Sequence, residues 1–348
     1  MAISNDLLSS TLYSIRDGEV DELFQKVAFL DNAKRFNGIE YEDGGIKIQR
    51  PLSIAEHSQI TNLPTGYEAV NLAVKDVLQP AVYEWADFTA PIVITKKEEL
   101  ENKGEKAVVK IVEARMRSVM GMLRRELNKQ LLRGNSTILT TVNTLNGDVA
   151  GGFLECENKG PAGSQNNTVG GISKTTYNNT NGWQNQIFSV GGNAAGAFGT
   201  DGIRGMQQIA IQANTVTHMG QVDCVLMSEA AMANYRRALF QQERFINEKT
   251  LDGGRMQLAF GGAVVEQDLE LGFNVTSNDF GGKTGALSAY FLNFDGVKLC
   301  MHKDADFAVS PFEHISGTTA RAAQLYVKMQ LIADHLGSCG ILFDGDTF

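Results

Sequence analysis

The five histidines are the first residues to test for chemistry, because clustered histidines bind metals and move protons. They are His57, His218, His302, His314 and His335. No two of them have H-x-x-x-H or H-E-x-x-H spacing, and none lies at metal-ligand spacing from a cysteine. His302 has acidic neighbours in Asp304 and Asp306, which could complete an open metal site. Solvated polar residues at a strand turn explain this trio better.

The glycine-rich stretch "SNDFGGKT", Ser277 to Thr284, is the next candidate, because it looks like a phosphate-binding loop. That pattern requires a glycine where Ser277 stands, and the following "GALSAYFLN" predicts a strand where a helix is needed. A glycine-rich turn is the simpler interpretation. The sequence has no G-x-S-x-G nucleophile turn. The carboxylates of "ELEN" and "EQDLEL" fit solvated faces better than an acid–base pair.

Cysteine usage and charge narrow the class of protein further. The four cysteines are scattered without a C-x-x-C pair, which favours buried free thiols in a reducing compartment. They are Cys156, Cys224, Cys300 and Cys339. The formal net charge of −9 argues against tight phosphate binding by the bulk of the chain. The sequence contains no run of about 18 apolar residues and no secretory signal pattern.

The elements that position these residues follow from composition and hydrophobic pattern. The chain has 348 residues, 43% of them hydrophobic and 20% charged, which is typical of a folded protein with a substantial core. Residues 1–38 indicate an N-terminal arm with a short amphipathic helix around Asp17–Phe29. Residues 39–95 are β-rich, and "GGIKIQRPLSI" and "WADFTAPIVIT" predict two long strands. A polar loop around Pro64 and Gly66 makes them a projecting hairpin.

A long amphipathic helix follows, and it carries no catalytic group. Its apolar residues recur in steps of three and four and form one stripe. They are Val108, Val112, Met116, Val119, Leu123, Leu127 and Leu131. Basic residues in the last turns suit the negative end of the helix dipole, and Gly134 is well placed as the residue that ends the helix. We expect a helix over about 97–133, with a regular part roughly 40 Å long.

The remaining segments predict mixed structure. Between about 140 and 200 the chain is rich in Asn, Gly, Ser and Thr, but aromatic residues recur there, so ordered loops and short strands are favoured over a linker. Residues 201–290 predict helices alternating with strands, with Ser228 as a helix N-cap. The stretches "GALSAYFLNFDGVKLCMHKDADFAVSPFEH" and "RAAQLYVKMQLIADHLGSCGILFD" predict long strands.

Taken in order, four stretches resemble the tailed-bacteriophage major capsid proteins of the Hong Kong 97-type fold. The first, Val82–Leu131, has a strand ending near a tryptophan, a proline-containing strand, and "ELEN" before the long helix. The second is "VGGISKTTYNNTNGWQNQ", where Asn178–Thr180 departs from the proline-containing run that many relatives have. The others are Asp223–Phe245 and Leu258–His314. Together they cover most of the chain from about residue 60 onward.

The resemblance implies an α+β fold of the Hong Kong 97 type with four parts. Residues 1–38 would be the N-terminal arm, and 39–95 the extended hairpin loop that lies over a neighbouring subunit. Residues 96–150 and 290–348 would form the peripheral domain, with the long helix as its spine. Residues 151–289 would form the α/β axial domain.

The resemblance also implies a structural role without catalytic, metal-binding or cofactor-binding residues. The chain would form pentamers and hexamers of an icosahedral shell around double-stranded phage DNA, with the DNA as a non-specific neighbour and no membrane. A portal protein and a separate scaffolding or decoration protein are the expected partners. The shell would assemble in the host bacterial cytoplasm and become the virion capsid.

Two sets of residues follow as site candidates. The inter-subunit contact candidates are Leu23, Phe24, Ile54, His57, Ile60, Leu63 and Tyr67. The candidates for packing the spine helix are Val112, Met116, Val119, Leu123 and Leu127.

Three alternatives stay open from the sequence. An encapsulin-like nanocompartment would share the fold, although the long hairpin and arm favour a virus. An α/β hydrolase-type enzyme would need a nucleophile and base that the motifs do not supply. A fibre or adhesin would fit the Gly- and Asn-rich stretches but not the long helix or the lack of repeats.

Overall fold

The computed structural model describes most of the chain. The described residues are 5–53, 62, 64, 66–67, 69, 78–101, 105–134, 136–146, 152–154, 168–177, 182–190, 201–217, 221–240, 249–250, 256–268, 270–271 and 288–344. The α-helices within them are α1 (Asn5–Lys26), α2 (Ala28–Arg35), α3 (Lys96–Glu101), α4 (Glu105–Arg133), α5 (Ile203–Thr217) and α6 (Glu229–Phe240).

Two main sheets and two short hairpins contain the strands. The strands are β1 (Ile39–Glu42), β2 (Lys47–Ser53), β3 (Leu78–Glu84), β4 (Ala86–Thr95), β5 (Thr168–Val169), β6 (Ile172–Ser173), β7 (Gln186–Val190), β8 (Cys224–Met227), β9 (Lys249–Thr250), β10 (Met256–Phe260), β11 (Ala263–Gln267), β12 (Ser288–Leu292), β13 (Val297–His302), β14 (Ala308–Val309), β15 (Glu313–His314), β16 (Ala320–Ala333) and β17 (Gly340–Asp344). Short 3-10 turns follow β13 and precede β17.

The N-terminal arm forms two helices where the sequence predicted one around Asp17–Phe29. α1 begins well before Asp17, and the helical run breaks at Val27, whose backbone is extended at φ −98° and ψ 115°. α1 packs against α4 of its own chain, where Glu19 Oε1 lies 3.1 Å from Arg117 Nε. The arm therefore docks on a helix of its own subunit.

Strand β16 is the centre of the six-stranded sheet. β13, β14 and β15 pair antiparallel with successive parts of one edge of β16. β4 pairs antiparallel with the other edge, from Ala320 opposite Thr95 to Met329 opposite Ala86. β1 adds to the outside of β13 as a parallel strand. Helix α4 packs against this sheet through β4.

The hairpin differs from the sequence prediction in its second strand. β2 pairs with β3, from Lys47 opposite Glu84 to Ser53 opposite Leu78. The stretch "WADFTAPIVIT" instead becomes β4 of the six-stranded sheet, so the predicted pairing was wrong and the hairpin is shorter than 39–95. The physical reason is burial, because Ile92 and Ile94 of β4 point into the core.

Helix α4 has the expected end. Gly134 adopts φ +65°, and its N–H donates to Lys129 O at 3.1 Å and to Gln130 O at 3.0 Å. These bonds satisfy carbonyls that the helix leaves without partners, so the prediction that Gly134 ends the helix is confirmed. The 29 residues of α4 span about 43 Å. Upstream, the Glu98 carboxylate accepts the N–H and hydroxyl of Thr95 and fixes the start of α3.

The seven-stranded sheet has the order β7-β17-β12-β8-β11-β10-β9, with α5 against β7 and β17 and α6 against β8 and β12. Ser228 Oγ accepts the Ala231 N–H at 3.2 Å, which confirms Ser228 as the N-cap of α6. β12 and β17 lie here, although the sequence placed 290–348 in the peripheral part. That boundary is corrected, because the chain crosses between the two sheets at 293–296 and again at 334–339.

Candidate functional site

The structure describes some of the groups that the sequence offered for chemistry, and His302 among them has a structural role. His302 Nδ1 accepts the Asp304 N–H at 3.1 Å and so caps the 3-10 turn after β13. In the ranges given above, no group of three or more His, Cys, Asp or Glu side chains is arranged to hold a metal ion. The stretch Ser277–Thr284 lies outside the described residues. No helix of the described chain is long and apolar enough to cross a membrane.

Three cysteines are buried free thiols, as the sequence predicted. Burial raises the pKa of the Cys339 thiol to about 11 and that of Cys300 to about 12, and it raises the pKa of Cys224 well above its usual value. These thiols therefore stay protonated and unreactive near neutral pH. Cys156 lies outside the described residues.

The hairpin β2–β3 belongs to neither of the two main sheets. Its two strands pair only with each other in the described structure. An isolated two-stranded hairpin is marginal in water, and the outer edge of each strand is paired with no other described strand. The hairpin therefore needs support at its root and a partner along its length.

An ionic cluster supports the root from one side. Arg50 Nη2 of β2 lies 2.6 Å from Glu40 Oε2 and 3.3 Å from Glu42 Oε1, both on β1. Lys298 Nζ of β13 lies 3.3 Å from Asp334 Oδ2, next to the end of β16. Burial opposes the charge of Arg50, but the hydrogen bond to Glu40 and the charges of Asp334, Glu40 and Glu42 outweigh it and raise the Arg50 pKa. The guanidinium thus ties the hairpin to the six-stranded sheet.

Tyr83 supports the root from inside the core. Its side chain is buried, and its hydroxyl donates to Ala333 O at 2.9 Å and accepts the Ala333 N–H at 3.3 Å. Burial is the main cause that raises the Tyr83 pKa, so the hydroxyl stays neutral. Strand β3 is thereby fastened to the last residue of β16.

The β5–β6 turn closes the root from a third direction. The Val82 N–H of β3 donates to Gly170 O at 2.9 Å. Gly170 has φ +57°, and a Cβ added there would lie 2.9 Å from the Tyr83 ring. Only glycine meets both requirements, so this turn needs glycine to approach β3 so closely.

Large apolar side chains are exposed on and beside the hairpin. Ile46 is 92% exposed just before β2, and Leu78 is 63% exposed at the start of β3. Tyr67, between the two strands, is 97% exposed. Single exposed apolar residues are common, but three of them on a hairpin with free edges indicate a surface that binds protein.

The inter-subunit candidates have three different outcomes. Tyr67 is exposed, and Leu23 is fully buried in the core of its own chain, which corrects its assignment to an outward contact. Phe24 lies in α1, and its side chain is outside what the structure describes. The other four candidates also lie outside the described residues. They are Ile54, His57, Ile60 and Leu63.

The spine-helix candidates lie together on the inner side of α4. Val112, Met116 and Leu127 are fully buried, and Leu123 is buried at 9% exposure. Val119 is partly buried and packs against the same core cluster. Sequence reasoning missed the ionic cluster at the hairpin root, because Glu40, Arg50 and Asp334 are brought together only by the sheet. The available signal was the alternation of Glu40 and Glu42 in β1.

Comparisons with known proteins find the fold over nearly the whole chain, although no family model and no curated protein matches. The cyanophage A-1(L) capsid asymmetric unit matches with a TM-score of 0.58 at 16% identity, covering 91% of this chain and 92% of that chain. The mature capsid of bacteriophage PhiM1 matches with a TM-score of 0.50 at 8% identity, covering 88% and 85%. The SrpI encapsulin of Synechococcus elongatus matches with a TM-score of 0.47 at 8% identity, covering 88% and 84%.

The fold is therefore the α+β Hong Kong 97-type fold. Within that class, this chain is similar in fold to the capsid proteins of tailed phages. The resemblance found in the sequence is confirmed at the level of the fold.

Proposed function

We propose that the chain is a major capsid protein, which self-assembles into pentamers and hexamers of an icosahedral shell around double-stranded phage DNA. The observation that carries this proposal is the match to the cyanophage A-1(L) capsid over 91% of the chain. The hairpin supports it independently, since its root is held by the subunit while its exposed side chains are left for a partner.

The shape of the hairpin fits a contact between copies. The root cluster and Tyr83 hold the base rigidly, so the free strand edges and Ile46 project in a defined direction. A neighbouring copy that covers these groups would remove apolar surface from water and pair backbone groups that are otherwise exposed. Repeated around a closed shell, many such modest contacts stabilise the whole.

The charge of the chain fits a container for DNA. A net charge of −9 keeps a shell from adhering to the phosphates it encloses. The proposal places the chain in the virion capsid after assembly in the host cytoplasm. It also assigns a portal protein and a scaffolding or decoration protein as partners, and it assigns a structural role without catalysis.

The four parts of the chain have proposed roles. Residues 1–38 form an arm that packs on its own subunit and also reaches a neighbour. The hairpin within 39–95 lies over the adjacent subunit. The six-stranded sheet with α4 forms the peripheral domain, and the seven-stranded sheet with its helices forms the axial domain near the five-fold and six-fold axes.

Electron microscopy of the negatively stained chain, checked by light scattering, tests the shell directly. Closed particles or hexamer-sized rings are expected, with a mass in the megadalton range for closed particles. If the chain alone stays monomeric, the same measurement is made after coexpression with the neighbouring phage proteins. Small discrete oligomers under both conditions would contradict the proposal.

Removal of the hairpin tip tests the role of the hairpin. Deletion of residues 57–66 should leave a folded subunit, because the root contacts of Arg50 and Tyr83 lie outside the deletion, but closed shells should not form. The matched control replaces 57–66 with ten Gly and Ser residues, which keeps the length and removes the side chains. Normal closed particles from both variants would show that residues 57–66 do not join subunits.

A further inference from the structure

Two short segments connect the six-stranded sheet with the seven-stranded sheet, and we call them together the sheet joint (293–296 and 334–339). Residues 293–296 lead from β12 to β13, and 334–339 lead from β16 to β17. The segments are bonded to each other, because the N–H groups of Asp334 and His335 both donate to Gly296 O, at 2.8 Å and 3.0 Å. Any change in the angle between the sheets must therefore act on these bonds.

The sheet joint is closely packed around two glycines. A Cβ added at Gly296 would lie 2.1 Å from Ser338 Oγ and 2.4 Å from His335 O. A Cβ added at Gly182 would lie 2.4 Å from Cε1 and Nε2 of the His335 ring, and Gly182 also has φ +73°. Gly182 O accepts the Gly337 N–H at 2.8 Å. The imidazole of His335 thus fills the contact between the joint and the 182–185 segment.

The imidazole is held in a place that suits only its neutral form. Nδ1 of His335 is buried without a hydrogen-bond partner among the described residues. A neutral ring can leave Nδ1 as an unprotonated nitrogen, whereas a protonated ring carries N–H donors on both nitrogens. A buried N–H without an acceptor costs about 1–3 kcal/mol, and more when it is charged.

The charged side chains around the joint are paired or exposed. The Asp334 carboxylate lies 3.3 Å from Lys298 Nζ and 3.7 Å from Arg50 Nε. Asp295 is exposed on the 293–296 segment, and Arg204 is exposed on α5, the helix that packs against 336–338. Burial is the cause that lowers the pKa of His335 below its usual value. Asp223 accepts the Phe294 N–H at 2.9 Å, and burial raises the Asp223 pKa, so its protonation on acidification strengthens the fold. Among the groups at the joint, His335 is the one whose protonation is opposed by burial.

We propose that the sheet joint is an acid-sensitive hinge, in which protonation of His335 breaks the contact with Gly182 and lets the two sheets reorient. Because the pKa of His335 is lower in the folded joint than in the open one, the joint is closed above about pH 6.5 and opens as the pH falls through the lowered pKa. The hinge is a property of the single chain, so it does not depend on the proposed shell.

Hydrogen–deuterium exchange at pH 7.5 and pH 5.0 tests the hinge in the full-length protein, with rates corrected for the intrinsic effect of pH. The opening equilibrium of peptides covering 334–342 and 293–297 should rise at the lower pH, by up to about tenfold for each unit by which folding lowers the His335 pKa. The exchange of peptides from α4 should not rise with that of the joint peptides. The neutral variants are His335→Gln and His335→Asn, and the matched control is His314→Gln, at an exposed histidine on β15.

The exchange measurements on the wild type and the variants decide whether His335 controls the hinge. The hinge is supported if either neutral variant loses the pH dependence of exchange while His314→Gln behaves like the wild type. The joint of the neutral variant can be closed at both pH values or open at both. An unchanged joint in the wild-type protein between pH 7.5 and 5.0 overturns it without any variant. Wild-type pH dependence in both neutral variants overturns it as well. Failure to form shells would bear on the proposed function and not on this result.

Discussion

Replacement of Tyr83 by Phe removes one hydroxyl from the root of the hairpin and leaves the ring in place. The hydroxyl makes two hydrogen bonds to the backbone of Ala333, one as donor at 2.9 Å and one as acceptor at 3.3 Å. The ring lies 6.2 Å from the Phe153 ring, and that contact is kept by phenylalanine. The substitution therefore tests the fastening of β3 to β16 and little else.

The size of the effect follows from burial. Each intramolecular hydrogen bond contributes about 0.5–1.5 kcal/mol, and both bonds of Tyr83 are shielded from water. We expect a loss of about 2 kcal/mol in the free energy of unfolding. At about 2.1 cal/mol/K per residue, the 348 residues have an unfolding entropy of roughly 0.7 kcal/mol/K, so Tm should fall by about 3 °C.

Thermal unfolding and hydrogen exchange measure this loss globally and locally. The exchange of peptides covering 78–84 and 330–336 should rise by up to about 30-fold, which corresponds to about 2 kcal/mol. The matched control is Tyr67→Phe, which removes the same hydroxyl from a side chain that is 97% exposed. Its Tm should stay within about 1 °C of the wild type, because surface substitutions change stability by less than about 0.5 kcal/mol.

Two results would refute this reasoning. Equal stability of Tyr83→Phe and the wild type would mean that the bonds to Ala333 contribute nothing to the fold. Equal losses in Tyr83→Phe and Tyr67→Phe would mean that the hydroxyl acts by some route other than its buried contacts.

Two further predictions concern α4 and its contact with the seven-stranded sheet. Leu127→Asp places a charge on the buried side of α4 and should lower the free energy of unfolding by about 3–5 kcal/mol, so that soluble protein is lost. The control Ser118→Asp lies on the exposed side and should stay soluble. The amount of soluble protein and its circular dichroism spectrum measure both outcomes. Asp268 is buried, and burial raises its pKa despite hydrogen bonds from the Glu270 N–H and Asn128. Its contribution to stability is full when it is protonated and is lost as the pH rises through the raised pKa. Urea unfolding should therefore show that the stability of Asp268→Asn relative to the wild type increases between pH 4.5 and 7.5. A constant difference at both pH values would contradict this.

Features that depend on neighbouring residues were predictable from the sequence. The stripe of α4 repeats every three or four residues, and Gly134 ends the helix through bonds to residues four and five positions earlier. Ser228 caps α6 for the same local reason. In each case the interacting groups lie within one or two helical turns, so the sequence contains the whole interaction.

Features that depend on distant pairing were not predictable. β3 and β4 are separated only by Trp85, and both have strand-like patterns, so nothing local decides which of them pairs with β2. Lys174 lies in a polar stretch, yet it is fully buried, and its Nζ donates to Phe153 O at 2.8 Å. The sequence placed Leu23 on the apolar side of the arm helix, but only the packed structure shows that this side faces the core of its own chain.

The position of β16 in the chain has a consequence for how the subunit is made. Thr95 pairs with Ala320 and Ala86 with Met329. During synthesis, β4 therefore has no partner strand until more than 200 further residues have been made. At about 5–20 residues per second, a ribosome needs roughly 10 to 45 s to synthesise the residues between them. During that interval β4 has an unpaired edge and the hairpin root lacks both Ala333 and Asp334. A nascent chain therefore cannot present a firmly rooted hairpin to its neighbours, which delays association until the subunit has folded.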